Sequence, residues 1–305
     1  MKILITGGFG YLGEMISKSL SEQGHSIRIF DRREPIQLEK YRDYEIQTGS
    51  ILEKKDLIKA CRGIDFVIHL AALDQPSCGE NPEKALEMNG IGTRNVLQAA
   101  EQENVKLVIY SSTFHIYGVD GKIIERTVPF PRSDYGISKL LGEYYCQQSN
   151  LNSVILRFAN AYGLSTSRGG KNLVVNDLCK QAFENQQIVL RSKGLQRRNF
   201  VSIDEIVQAI SLMLNAPLEK IRKEIFNVGG FNTVSISELA RTISECYQEL
   251  YGQEARIIIP EDVKEEQVKE FEYCYDKIRT LGYSPKAELK EEIIKIFKSL
   301  NSVVI

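Results

Sequence analysis

The stretch Lys2-Ile3-Leu4-Ile5-Thr6-Gly7-Gly8-Phe9-Gly10-Tyr11-Leu12-Gly13 decides the fold class. An apolar run ends in Gly7, Gly10 and Gly13, the spacing G-x-x-G-x-x-G, and a helix-forming stretch opens from Tyr11 to Gln23. Eighteen residues beyond Gly13, the next apolar strand (Ser26 to Phe30) ends on Asp31. Strand, glycine turn, helix and terminal acid together make a dinucleotide cradle. The glycines admit the backbone to a pyrophosphate, the helix N-terminus offers N–H donors and a positive dipole, and the acid grips ribose hydroxyls. Asp31 favours NAD, because a carboxylate repels a 2′-phosphate; Arg32 and Arg33, which follow directly, leave NADP open.

Outward from the cradle, strands and helices alternate. A short strand near Glu45 to Gln47 precedes a helix from about Glu53 to Cys61. Phe66 to Leu70 is apolar throughout, as a parallel strand covered on both faces should be. Asn81-Pro82 reads as the N-cap and first turn of one long helix through Met88, Val96 and Ala100. Strand Leu107 to Tyr110 then leads into Ser111-Ser112-Thr113, and Val154 to Phe158 is a further strand. This order predicts an α/β fold: a Rossmann-type, doubly wound parallel sheet with a smaller C-terminal α/β substrate lobe. The expected division is residues 1–162 as the dinucleotide-binding domain, with 202–230 packing back on it, and 163–201 plus 231–305 as the substrate lobe. Ser202 with Glu205 and Ser235 with Glu238 have capping-box spacing, each before a run of helical period. The polar loop Gly163 to Lys171 and the segment Lys193 to Arg198 are read as choosing the substrate, and the charged stretch Glu261 to Glu270 as a solvated face. Leu289 to Leu300 reads as a terminal amphipathic helix.

Bulk composition narrows the function. A formal net charge of −1 gives no global field to draw the chain to nucleic acid or acidic lipid. No apolar run approaches the twenty or so residues that span a bilayer, and the first strand begins at Lys2, which leaves no room for a signal peptide. Six scattered cysteines without a C-x-x-C pair fit free thiols in a reducing cytoplasm. With three histidines in the whole chain, no metal site is expected.

Tyr135-Gly136-Ile137-Ser138-Lys139 supplies the chemistry. On a helix, residues four apart share a face, so the Lys139 ammonium can stand beside the Tyr135 phenol. A free phenol has a pKa of about 10, and a neighbouring cation favours its ionisation. Such a pair suits proton exchange with an alcohol or ketone. Thr113 leaves the end of a parallel strand, the edge where α/β folds place ligands, and can offer its hydroxyl to the same oxygen.

Several blocks together resemble an extended short-chain dehydrogenase/reductase of the NAD-dependent epimerase/dehydratase family, which acts on nucleotide-activated sugars. They are T-G-G-F-G-Y-L-G from Thr6, H-L-A-A from His69, N-G-I-G-T-R-N-V-L-Q-A-A from Asn89 and S-S-T-F-H-I-Y-G from Ser111. Y-G-I-S-K, L-R-F-A-N-A-Y-G from Leu156, R-N-F-V-S-I-D-E-I from Arg198, F-N-V-G-G from Phe226 and L-G-Y-S-P from Leu281 continue the family's order. The resemblance implies Thr113, Tyr135 and Lys139 as the catalytic set, with Tyr135 the acid/base. It implies a cofactor site of Gly7, Gly10, Tyr11, Leu12, Asp31, Arg32, Ser50, Ile51, Leu70, Ala71, Ala72, Asn89 and Ser111, shared by Tyr135 and Lys139. Asn160, Asn172, Arg198 and His115 are the implied substrate contacts, Arg198 at the diphosphate. It further implies a homodimer through the helices around Ala85 to Ala100 and Tyr135 to Gln148.

Two departures matter. Dehydratases and decarboxylases of this family usually carry an acid two residues after the catalytic threonine, where this chain has His115, preceded by Phe114. Ser50-Ile51 stands where the family commonly has Asp followed by an aliphatic residue near adenine. The implied activity is epimerisation of a sugar-nucleotide by transient oxidation, at C4, and hydride return. A 4-ketoreductase of a 4-keto-6-deoxy sugar-nucleotide uses the same residues and stays open, as does a non-catalytic nucleotide sensor.

Overall fold

The computed structural model describes residues 1–35, 38–164, 173–259 and 270–303. Asn172, most of the loop Gly163 to Lys171, and the stretch Glu261 to Glu270 except its last residue lie outside the described residues. The strands are β1 Lys2–Thr6, β2 Ser26–Asp31, β3 Glu45–Thr48, β4 Phe66–His69, β5 Leu107–Thr113, β6 Gly121–Ile123, β7 Ser153–Phe158, β8 Asn160–Tyr162, β9 Gln187–Val189, β10 Arg197–Ser202, β11 Ile225–Val228, β12 Asn232–Ser235, β13 Arg256–Ile258 and β14 Phe271–Tyr273. The α-helices are α1 Tyr11–Glu22, α2 Lys54–Cys61, α3 Gln75–Glu80, α4 Pro82–Ala85, α5 Gly92–Gln102, α6 Asp134–Gln148, α7 Val174–Asn185, α8 Ile203–Asn215, α9 Leu218–Ile221, α10 Ile236–Tyr251, α11 Asp276–Arg279 and α12 Leu289–Val303.

Seven parallel strands form the central sheet in the order β11-β7-β5-β4-β1-β2-β3. The chain therefore reverses direction across the sheet between β1 and β4, the switch point at which such folds open a crevice beyond the strand ends. This is the Rossmann-type sheet expected from the alternation of elements. One core, on the α1 and α8 side, joins Ile3, Ile5, Ile16 and Leu20 to Ile206, Ile210 and Phe226. A second packs Leu4, Val67, Val108 and Ile155 under α2 and α5. A third gathers α7, α10 and α12 around Leu178, Ile243 and Phe297, beside the small sheet β12-β10-β8.

Local chemistry explains the helix ends. Both expected capping boxes form: Ser202 and Glu205 satisfy each other's backbone N–H groups at the start of α8, and Ser235 with Glu238 do so at α10. Asn81 caps α4 as expected, its side chain accepting from Lys84 N at 2.9 Å. The long helix anticipated beyond it is not uniform, however. Residues Leu86–Ile91 form a π-helical segment between α4 and α5. Period alone could not show this, because one inserted residue shifts a helix's face without altering composition; such segments often mark functional sites. Ser111, Ser112 and Thr113 continue β5 beyond the expected end at Tyr110, and Thr113 is its last residue.

Candidate active site

The glycine turn is tight for steric reasons. Gly7 has φ +71°, and a Cβ there would sit 2.8 Å from the Ala71 nitrogen. A Cβ on Gly13 would approach the Gly7 carbonyl oxygen to 2.3 Å, so α1 can start this close to β1 only without side chains. Gly10 caps α1 with no side-chain hydrogen bond, which leaves the first-turn N–H groups for an anion.

One cleft beyond the strand ends is lined by Gly7, Gly10, Asp31, Arg32, Ser50, Ile51, Leu70, Ala71 and Ala72. These nine expected residues come from four separate loops. Phe9, from within the glycine motif, lines it too, as do Phe30, Gly49, Leu73 and Met88, which no motif named; Phe30 and Gly49 are neighbours of motif residues, and Met88 faces the cleft from the π-helical segment. Asp31 is held at the rim by backbone donors, Phe9 N at 3.1 Å and Arg33 N at 3.2 Å. Ser50 turns inward, its hydroxyl accepting from Leu52 N at 3.2 Å. The cradle that admits no Cβ, the uncapped helix start and the acid fit a dinucleotide.

Other expected contacts lie behind this wall. Tyr11 and Leu12 pack against the core at the start of α1, and the Tyr11 hydroxyl is buried. Ser111 is buried within β5. Asn89 is 1% exposed, and its amide is used internally: it accepts from Leu73 N at 2.7 Å and donates to Ser138 Oγ at 2.9 Å. It shapes the cleft by holding Leu73.

Donor counting extends this into a chain of bonds. Ala71 N donates to Thr6 Oγ1, which pairs with His69 Nδ1 at 2.7 Å. His69 Nε2 meets Thr93 Oγ1 at 3.0 Å, and Thr93 donates to the Asn89 carbonyl at 2.6 Å. Thr93 is thus the acceptor toward His69, so Nε2 carries the proton and Nδ1 accepts from Thr6. Burial lowers the His69 pKa to about 3, which keeps the ring neutral. From Asn89 the chain runs to Ser138, whose hydroxyl donates to the Tyr135 carbonyl at 2.9 Å. Hydrogen bonds therefore connect the cofactor floor to α6.

At the chemical end, the Thr113 side chain lies by the Tyr135 phenol and favours its ionised form. In the chain by itself, burial sets the direction for this phenol. Burial raises the Tyr135 pKa to about 12, Cys78 and Asp74 add to the rise, and only the Thr113 side chain opposes it. Lys139 Nζ lies over the Tyr110 ring, 4.4 Å from its centroid. Desolvation dominates because the Tyr135 phenol is deeply buried. The same desolvation lowers the Lys139 pKa to about 8.

His115 completes this end. Its ring stands edge-on to Tyr135 with centroids 5.8 Å apart. Burial first, and the Arg198 charge second, lower its pKa to about 4, so it is a neutral hydrogen-bonding group at pH 7. Arg198 lies on β10, its Nη1 donating to the Arg197 carbonyl at 3.0 Å. Asn160, on the paired strand β8, donates to the Asn199 carbonyl at 3.0 Å. Thr113, Tyr135, His115 and Arg198 are thus brought together from three elements and one turn.

Fold and cleft define a dinucleotide-dependent enzyme of the Rossmann type. The chain belongs to the NAD dependent epimerase/dehydratase family, whose model matches residues 3–229. It is 28% identical over 304 residues to a putative UDP-glucose 4-epimerase of Methanocaldococcus jannaschii, covering 96% of each chain. A UDP-N-acetyl-alpha-D-glucosaminuronate decarboxylase of Bacillus cytotoxicus is 30% identical over 268 residues, 80% of this chain and 79% of that one. The solved structure of a UDP-glucuronic acid 4-epimerase from Bacillus cereus, in complex with UDP-glucuronic acid and NAD, matches with a TM-score of 0.85 at 26% identity, over 99% of this chain and 100% of that one. The family expected from the sequence blocks, and the NAD expected from Asp31, both stand. Among the described residues, no helix is long and apolar enough to cross a membrane.

Proposed function

We propose that the protein is a 4-epimerase of a UDP-activated sugar. The observation that supports this best is the placing of Thr113 at the end of β5, Tyr135 on α6 and the His115 ring edge-on to Tyr135, beside a dinucleotide cleft, with a histidine where an elimination enzyme needs an acid. Asp31, Gly7 and the start of α1 would hold NAD, which supplies a reversible hydride acceptor. Tyr135 removes the proton of the sugar's C4 hydroxyl as that carbon is oxidised, and returns it on reduction. Thr113 orients the same oxygen, and Lys139, one helical turn on, supplies positive charge on the Tyr135 face of α6. Arg198 takes the diphosphate, its fork matching phosphate oxygens, while Asn160 and His115 meet the sugar.

Incubation with UDP-glucose, UDP-galactose and UDP-glucuronic acid, followed by proton NMR, tests the reading. The expected product is the 4-epimer of one of them, with no net change in NADH absorbance. Stoichiometric NADH consumption on a 4-keto-6-deoxy sugar-nucleotide would establish the reductase instead, and release of such a keto sugar from UDP-glucose would establish a dehydratase.

The same reading includes a homodimer. Leu86 and Ile91 on the π-helical segment and Ile137 and Tyr144 on α6 leave large apolar side chains in solvent, Tyr144 58% exposed, on two elements that pack together. Sedimentation at micromolar concentration is expected to give a dimer; a monomer alone would remove it.

A further inference from the structure

Glu143 lies one helical turn beyond Lys139 and two beyond Tyr135, so the three share one face of α6. Its carboxylate sits on a residue 2% exposed and is held from two strands. Arg157 on β7 donates from Nε at 2.9 Å and from Nη2 at 2.6 Å, and the Ser112 hydroxyl on β5 donates to Oε1. Arg157 is itself fixed: Nη1 donates to the Tyr117 hydroxyl at 2.7 Å and to the Glu125 carbonyl at 3.1 Å. The Tyr273 hydroxyl donates to the Arg157 carbonyl at 2.7 Å. The pair therefore joins β5, which ends in Thr113, to α6 and to β7, which leads into Asn160.

Packing does not account for this arrangement. A buried ion pair is commonly no more stabilising than apolar residues of the same volume. What apolar residues could not supply is a carboxylate, held by Arg157 and Ser112, on the same face of α6 as Lys139.

We propose that Glu143, gripped by Arg157 and Ser112, is a positioning residue that keeps Lys139 in its ammonium form on the Tyr135 face of α6. The proposal rests on the reading of Tyr135 and Lys139 as the proton-exchanging pair. Lys139 is 3% exposed, and the titratable groups facing it come from four elements. Glu143 and Cys146 are on its own helix, where Tyr135 stands one turn before it, Cys78 is on α3, His69 on β4 and Tyr110 on β5. Burial pushes Cys78, Cys146, Tyr110 and Tyr135 up and His69 down, so each of these stays neutral near pH 7. Glu143 is the carboxylate in this set, and its charge favours the Lys139 ammonium against desolvation.

The test is the titration of Lys139 in the cofactor-free full chain labelled with 13C-lysine, its Cε signal assigned by disappearance in Lys139→Arg. The wild-type midpoint is expected near pH 8. Glu143→Gln, of the same shape without the charge, is expected to lower it by about one unit, and Glu143→Asp to restore part of the loss. The double variant Glu143→Leu/Arg157→Met removes both charges and orphans neither. It separates the loss of the Glu143 charge from the effect of an unpaired Arg157: a smaller downward shift than in Glu143→Gln is expected, and it stands in if Glu143→Gln does not fold. A midpoint unmoved in a folded variant overturns the proposal. If the midpoint moves but no sugar-nucleotide is turned over by wild type, Glu143 still controls Lys139 and it is the catalytic reading that falls. With turnover, the alkaline limb of kcat should move down by the same amount while KM holds.

Discussion

The two ends of the cleft are built differently. The nucleotide end is made of backbone: a turn that excludes Cβ atoms, an uncapped helix start, and strand ends that offer peptide groups. The chemical end is made of side chains drawn from β5, α6, β10 and the turn after β5, held by buried polar networks. Backbone recognition is set by local geometry and tolerates no added atom. Side-chain recognition is set by desolvation and charge, and can be retuned by one neighbour.

Each prediction breaks one end while sparing the other. Tyr135→Phe removes the phenolic proton and leaves the cradle whole, so kcat should fall by about 10²–10⁴ while NAD affinity holds. Isothermal titration beside a turnover assay checks both halves, and near-wild-type turnover would take Tyr135 out of the reaction. Gly7→Ala attacks the other end. A side chain at φ +71° costs on the order of 1–3 kcal/mol before the clash with Ala71 is counted. NAD should bind about 10- to 100-fold more weakly, with the Tyr135 environment unchanged by its near-UV spectrum. Unaltered affinity would mean that the turn does not contact the cofactor.

Asp31→Ala removes a charged acceptor at the rim. A loss of about tenfold in NAD affinity is expected, together with a narrower preference over NADP, because Arg32 and Arg33 then act unopposed. Wild type that already prefers NADP in competition binding would reverse that assignment. The smallest effect is on stability. His69 and His115 are held at about 3 and about 4, each mainly by burial. Between those values and the ordinary histidine value near 6.5, the unfolded chain binds more protons than the folded one. Their contribution is therefore complete above pH 6.5 and is lost as pH falls toward 4. His115→Gln should flatten part of that acid slope in thermal melts, and an identical slope would show that His115 titrates normally.

The pKa of Tyr135 shows where sequence reasoning stopped. Spacing places Lys139 one turn after Tyr135 on α6, yet spacing carries no information on burial, and burial is what raises the phenol's pKa. Asn89 is a second case. Its block was recognisable, but that its amide faces Leu73 and Ser138 instead of the cleft depends on a π-helical segment that no periodicity reveals. Glu143 and Arg157 stand fourteen residues apart on a helix and a strand, and nothing local links them.

The sequence by itself determined the cradle, the order of strands and helices, the choice of NAD and the family. These follow from contacts within a few residues, where glycine, an N-cap or an apolar run has one physical meaning. Tertiary structure alone decided which groups are desolvated, which polar atoms satisfy one another, and which charge stands beside Lys139. Those depend on distances between segments far apart in the chain, and electrostatic energy changes steeply with distance and burial.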